Sequence, residues 1–222
     1  MITVHHLENS RSQRVLWLLE EIGVPYQVQL YKRDPHTMYA PPELMRVHPL
    51  GKSPVITDGD VTVAESGAIV EYLVDTHGPQ LRPPPGTPAA RRYTYWLHFA
   101  EGSAMPPLLM KLVFDRIRST PMPFFAKPIA RAIADKVTSG FVMPNVERQL
   151  AFMDGELTQR PWFAGAEFSA TDVMMSFPLE AAAQRAGLDA RFPKLQDWLV
   201  RIHSRPAYRR ALERGGPYSF AD

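Results

Sequence analysis

The first third of the chain switches between two hydrophobic periods. Residues 2–7, Ile-Thr-Val-His-His-Leu, are short, β-branched and stop at Glu8-Asn9-Ser10, which predicts a strand running into a helix start. From Ser10 to Gly23 the apolar Val15, Leu18, Leu19 and Ile22 recur at helical spacing, and Gly23 suits the left-handed position that closes a helix. Tyr26, Val28 and Leu30 then alternate with Gln27, Gln29 and Tyr31, the period of a second strand. After a loop rich in charge and proline, residues 41–47 predict a short helix with proline in its first turn. Residues 54–57 and 61–63 flank Asp58-Gly59, a pair that supplies the positive φ of a tight hairpin turn. Ser66 opens a third helix, with Ile69, Val70, Leu73 and Val74 on one face and an end before Gly78.

The pattern changes after that. Five of the ten residues from Pro79 to Pro88 are proline, which stops both helix and sheet and predicts a semi-rigid linker between residues 1–78 and 89–222. Beyond it, alternation disappears and helical stripes take over. Phe125, Ile129, Ile133 and Val137 fall four residues apart, flanked by Lys127, Arg131 and Lys136, and are expected to face the core rather than a membrane surface.

Composition narrows the function classes. The 25 basic and 23 acidic residues leave a formal net charge of +2, and no basic run appears, so a nucleic-acid partner is not expected. No apolar stretch is long enough to span a bilayer, and residues 1–10 lack the charged-then-apolar pattern of a secretory signal, so a cytoplasmic protein is expected. The chain has no cysteine, which removes disulfides, thiolate metal sites and a protein thiol nucleophile. His5, His6 and His48 fit no metal-ligand spacing, and no metal is expected.

The element order β-α-β-α-β-β-α is thioredoxin-like, and an all-helical half follows it. Together with Tyr-Lys-Arg-Asp (31–34), Ala-Pro-Pro-Glu-Leu (40–44), His-Pro-Leu-Gly-Lys-Ser-Pro (48–54), Ala-Glu-Ser-Gly (64–67), Glu-Gly-Ser (101–103) and Met-Ser-Phe-Pro-Leu-Glu (175–180), this order resembles the soluble glutathione transferases, in a bacterial and fungal branch, over essentially the whole chain. The resemblance implies a thioredoxin-like glutathione-binding domain (1–78), an all-helical domain (89–222), glutathione as co-substrate and a homodimer. The implied reaction is conjugation of glutathione to small hydrophobic electrophiles. The same thiolate attacking a peroxide, and a noncatalytic binding module of this fold, are the alternatives.

The resemblance also implies a site. Ser10, four residues before Arg14, occupies the turn where serine-type relatives hold the activating hydroxyl, with neighbouring Asn9 as the alternative donor. Ser10-Arg11-Ser12-Gln13 is equally a capping-box pattern, in which Ser10 would only satisfy a backbone N–H. Arg11 is either an anion-steering residue or a solvated helix-start arginine. The Ser53–Pro54 bond is expected to be cis, turning the Ser53 backbone toward an extended tripeptide. Glu65 and Ser66 are expected to hold the γ-glutamyl group, and Lys52 the glycyl carboxylate. Glu101 is expected near a partner subunit's glutathione. Met105, Pro107, Leu108 and Phe114 are either electrophile-pocket or core residues, and Ser169 with Asp172 reads as a buried structural capping box.

Overall fold

A four-stranded mixed sheet grows around β1 (Ile2–Leu7). On one side β1 runs parallel to β2 (Tyr26–Tyr31), and on the other antiparallel to β3 (Val55–Asp58), which β4 (Val61–Ala64) extends as an edge. The structure is a computed structural model that describes residues 1–35, 37 and 39–221. The central position of β1 buries Ile2, Val4 and Leu7, and also His5 and His6.

Helix α1 (Gln13–Ile22) begins three residues after Ser10, so the predicted start at Ser10 is corrected. The Ser10 hydroxyl accepts from the Ser12 N–H at 3.2 Å and closes a turn before the helix. The capping box also fails to form, since the buried Gln13 side chain finds no hydrogen-bond partner. Gly23 closes α1 at φ 82° and donates its N–H to the Leu19 carbonyl, as its type predicts. Helix α2 is shorter than predicted (Glu43–Val47), whereas α3 (Ser66–His77) has its expected bounds and buries Ile69, Val70, Leu73 and Val74. Gln13 to Leu19 are buried around the whole circumference of α1, because α3 and two helices of the second half pack on the faces the sheet leaves.

Apart from one short turn at residues 79–81, the proline-rich stretch carries no regular structure. Helix α4 (Pro88–Phe99) then starts behind Thr87, whose hydroxyl accepts from the Ala90 N–H at 3.1 Å. A π-helical turn at Ala100–Ala104 joins it to α5 (Met105–Ser119). Helix α6 (Lys127–Val137), a second π turn at Thr138–Val142, α7 (Met143–Gln159), α8 (Ala170–Arg185), α9 (Pro193–His203) and α10 (Pro206–Gly215) follow.

The expected core-facing stripe on α6 is corrected: Phe125, Ile129 and Ile133 are exposed, and the helix buries Ala134 instead. Of the aromatic residues Tyr93, Tyr95, Trp96 and Phe99 on α4, Tyr93 and Trp96 lie in the core, Phe99 is half-buried and Tyr95 is exposed.

One apolar core crosses both halves. Trp17 of α1 meets Tyr208 of α10 edge-on at 5.2 Å and Phe168 at 5.7 Å. Helix α8 is buried from Ala170 to Ala182. Near its C-terminal end the Glu180 carboxylate accepts the hydroxyls of Tyr208 and Tyr218, each at 2.6 Å, and so ties α10 and the C-terminal tail to the core. That tail, Tyr218 to Phe220, packs with Met105 and Phe177 beside the β1–α1 turn.

Candidate functional site

The turn between β1 and α1 places three polar side chains in a dry setting. Ser10 Oγ is 2.8 Å from Ser12 Oγ, and Ser12 Oγ is 2.7 Å from Nδ1 of His6. All three residues are buried. Ser12, which the sequence places inside the first turn of the helix, instead precedes α1 and makes no side-chain cap. Asn9 sits at φ 49°, a left-handed conformation that asparagine tolerates better than most residues. Its Oδ1 accepts from the N–H and hydroxyl of Ser219 at 2.8 and 3.0 Å, so the side chain anchors the C-terminal tail as well as flanking Ser10.

Near the start of α1, Arg14, which the sequence reading names only as a landmark four residues after Ser10, joins several elements. Pro178 lies inside α8 and has no N–H to offer the Met174 carbonyl four residues earlier. Arg14 Nη1 donates to that carbonyl at 2.7 Å. The same guanidinium donates through Nη2 to the Ser66 hydroxyl at 3.1 Å and pairs closely with the Glu101 carboxylate. The π turn that carries Glu101 aims it inward, where Arg11 Nε also approaches at 3.5 Å. Burial alone would raise the Glu101 carboxyl, yet the charges of Arg14 and Arg11 outweigh it and hold the group below its ordinary value. Glu101 is thus engaged by two arginines of its own chain.

The opposite wall comes from the segment before β3. The Ser53–Pro54 bond is cis, as expected. Ser53 Oγ donates to the His5 carbonyl at 2.9 Å and accepts from the Leu7 N–H at 3.2 Å, which clamps this segment to β1. Among the described residues, no backbone partner takes the Ser53 N–H or C=O. Lys52 is exposed beside it. Glu65, exposed at φ 72°, holds a conformation strained for a residue with a Cβ, immediately before the first turn of α3. Contacts therefore join Arg11, Arg14, Ser66 and Glu101, while Ser10 shares the β1–α1 turn with Arg11 and contacts Ser12, and Ser53 is joined through β1.

The expected electrophile-pocket residues divide. Met105 is buried with Phe177, Tyr218 and Phe220, and Pro107 is buried in α5, while Leu108 and Phe114 are half-buried against the core. A surface depression of about 640 Å³ lies elsewhere, between the end of α7 and α9, and is lined by residues such as Arg160, Lys194 and Asp197. It contains none of the polar groups of the β1–α1 turn. His5 bonds the Tyr31 hydroxyl at 2.9 Å and His48 lies near the Leu50 N–H, and among the described residues no metal-ligand group forms.

Comparison with known proteins agrees with this geometry. The family described as "Glutathione S-transferase, N-terminal domain" matches residues 1–75, and "Glutathione S-transferase, C-terminal domain" matches residues 133–206. The chain is 38% identical over 216 residues to glutathione S-transferase 3 of Schizosaccharomyces pombe, covering 96% of this chain and 88% of that one. It is 33% identical over 224 residues to glutathione S-transferase 1 of Saccharomyces cerevisiae, covering 96% and 95%. Among solved structures it is similar to a glutathione S-transferase from Actinobacillus pleuropneumoniae, with a TM-score of 0.80 and 29% identity over 100% of this chain and 96% of that one. A sphingomonad glutathione S-transferase complexed with glutathione aligns with a TM-score of 0.73 and 25% identity, covering 96% and 98%.

Proposed function

The chain belongs to the glutathione S-transferase family, and from that premise we propose that Ser10 is the residue that stabilises the thiolate of bound glutathione. The enzyme is a glutathione transferase with glutathione as its co-substrate. A free thiol titrates near ~8.5, and lowering it to about 6.5 requires roughly 2.7 kcal/mol of preference for the thiolate. A hydrogen bond to a charged group contributes about 1.5–3 kcal/mol. The start of a helix adds about 0.3–1 kcal/mol. Ser10 lies just before α1 and combines both effects without a metal.

The observation that carries this reading is the convergence, from one turn, of a buried Ser10 hydroxyl and a buried Arg14 that reaches the first residue of α3. Ser66 and the N–H groups at the start of α3 suit the γ-glutamyl carboxylate, with Arg14 adding positive charge beneath them. Glu65 is placed for the ammonium, Lys52 and Arg11 for anionic groups, and the Ser53 backbone for antiparallel pairing with the tripeptide. Glutathione-dependent conjugation of a chloronitroarene, saturable in both substrates, is the expected result. Absence of turnover together with absence of glutathione binding by calorimetry would refute it.

The division into a glutathione-binding domain (1–78), a linker (79–88) and a helical domain (89–222), a cytoplasmic location and a hydrophobic electrophile belong to the same proposal. So does a homodimer. Among the described residues no helix is long and apolar enough to cross a membrane. Support for the dimer comes from the exposed Tyr95, which stacks on Phe99 at 5.7 Å and meets the part-exposed Phe152 edge-on. Light scattering at micromolar concentration should give twice the monomer mass, and Tyr95→Glu should shift the equilibrium toward monomer. A wild-type monomer at that concentration counts against the dimer.

A further inference from the structure

The β1–α1 turn holds more than one activating hydroxyl needs. From Ser10 Oγ the chain of contacts runs 2.8 Å to Ser12 Oγ and 2.7 Å on to Nδ1 of His6, whose residue is 1% exposed. The backbone of Gly215, at the end of α10, lies against the far edge of the ring, where a Cβ on Gly215 would stand 3.4 Å from Nε2. A Cβ at 215 would lie 2.5 Å from Gln13 Oε1 and 2.8 Å from Leu16 Cδ1, so a larger residue there has to displace the ends of both side chains. With the Nε2 proton turned toward the Gly215 backbone, Nδ1 is the acceptor at the Ser12 end of the ring. Nδ1 at 2.7 Å is a nearer acceptor for the Ser12 hydroxyl than the Leu7 carbonyl at 3.4 Å, so Ser12 donates to Nδ1 and the Ser10 hydroxyl donates to Ser12 Oγ. One Ser10 lone pair accepts from the Ser12 N–H at 3.2 Å. The other is left for whatever approaches. In this state Ser10 has no proton to give an anion.

We propose that Ser10, Ser12 and His6 form a proton relay whose hydrogen bonds all reverse when glutathione ionises, with His6 as the positioning residue at its buried end. The proposal rests on the reading that Ser10 meets the thiol. The S–H bond breaks and its proton joins Ser10 Oγ. The Ser10 proton passes to Ser12 Oγ, and the Ser12 proton to Nδ1. The products are a thiolate, two neutral hydroxyls and an imidazolium, with no atom or electron gained from outside. Afterwards Ser10 donates to the thiolate, Ser12 to Ser10 and Nδ1–H to Ser12, while Nε2–H stays turned toward Gly215. Within the relay, every hydroxyl and ring proton has an acceptor in either state.

The surroundings suit that exchange. Burial pushes the His6 imidazole down to about 4, with the Gly215 backbone pulling the other way, so the ring starts neutral. Its neighbours in the turn and on the helices, Ser12, Gln13, Leu16 and Gly215, are uncharged. The adjacent His5 is directed instead to Tyr31. A thiolate two hydroxyls away is the counter-charge that this dry pocket otherwise lacks.

Counting protons tests the relay. The protein is mixed with saturating glutathione in weak buffer near neutrality, with S-methylglutathione as the blank. Thiolate is read by absorbance, released protons by a pH indicator, and the His6 ring by nitrogen NMR. The relay predicts clearly fewer than one proton released per thiolate formed, and a doubly protonated His6. His6→Asn keeps an acceptor where Nδ1 stood but cannot take the proton. It should release one proton per thiolate and raise the midpoint of ionisation by about one unit, a tenfold loss of thiolate. If that variant does not fold, the wild-type proton count and ring signals decide alone. One proton per thiolate with a neutral His6 in the wild type overturns the relay. A Ser10→Ala protein whose bound thiol titrates like wild type overturns the underlying Ser10 reading instead.

Discussion

Replacing Asp172 with alanine should lower the melting temperature by roughly 6–12 °C while leaving turnover per folded molecule intact. Asp172 is fully buried at the start of α8. Its Oδ1 accepts from the Phe163 N–H at 3.1 Å and the Trp198 indole N–H at 3.3 Å. Its Oδ2 accepts from the Ser169 N–H at 3.1 Å and the Ser169 hydroxyl at 3.3 Å. Burial pushes the carboxyl up to about 6 against the pull of those donors, so it is ionised at neutral pH and serves all of them. Alanine leaves the Phe163 and Ser169 N–H groups and the Trp198 indole without partners in a dry core, at about 1–3 kcal/mol for each orphan. Even near the low end this sums to about 3 kcal/mol, more than the ~0.5–2 kcal/mol of an ordinary helix cap. At about 2–4 °C per kcal/mol for a chain of this size, the stated shift follows. A calorimetric melt and an assay normalised to folded protein check both halves. Unchanged melting with lost turnover would place Asp172 in the chemistry instead of the fold.

Asp172 also shows what the sequence conveys well. Ser169-Ala170-Thr171-Asp172 is a local pattern, and a local pattern carries its own geometry: the capping box forms as read. Gly23, the Asp58-Gly59 hairpin and the apolar face of α3 are legible for the same reason, since backbone conformation or period is set within a few residues. Ser10-Arg11-Ser12-Gln13 is the counter-example. It has the same kind of signature, yet His6, from the preceding strand, draws Ser12 into a tertiary hydrogen bond and the helix starts later. The α6 stripe errs differently. Helical spacing identifies a face but not what the face meets, and Phe125, Ile129 and Ile133 turn outward.

Arg14 was beyond sequence reasoning because its function depends on residues 52, 87 and 160 positions away. One signal was present, however. Pro178 within a helix-forming run implies a carbonyl four residues earlier with no helical donor, and a buried carbonyl of that kind needs a partner. The proline thus connects the helical half to the thioredoxin-like half: it frees Met174 O, which fixes Arg14, which fixes Ser66 and Glu101.

Ser10→Ala should raise the pKa of bound glutathione by about one to two units while leaving its affinity largely unchanged. The hydroxyl is assigned to the thiolate, and loss of a charge-assisted hydrogen bond of about 1.5–3 kcal/mol corresponds to that shift. The groups assigned to the ends of the tripeptide, Lys52, the Ser53 backbone, Glu65 and Ser66, are untouched by the substitution, so binding should survive. Folding should also survive, because the Ser10 hydroxyl accepts from Ser12 before the first residue of α1 rather than capping the helix. Conjugation at neutral pH should fall roughly ten- to a hundredfold, the ratio of thiolate fractions for one to two units. Raising the pH should recover much of it. The comparison is Asn9→Gly, chosen over alanine because Asn9 sits at φ 49°, where glycine is unstrained. That variant also loses the Oδ1 contacts to Ser219, so it should loosen the C-terminal tail without moving the thiol titration. Thiolate absorbance against pH, for both variants saturated with glutathione, separates the two residues. If Asn9→Gly shifts the titration and Ser10→Ala does not, the amide is the activator and Ser10 serves only to shape the turn.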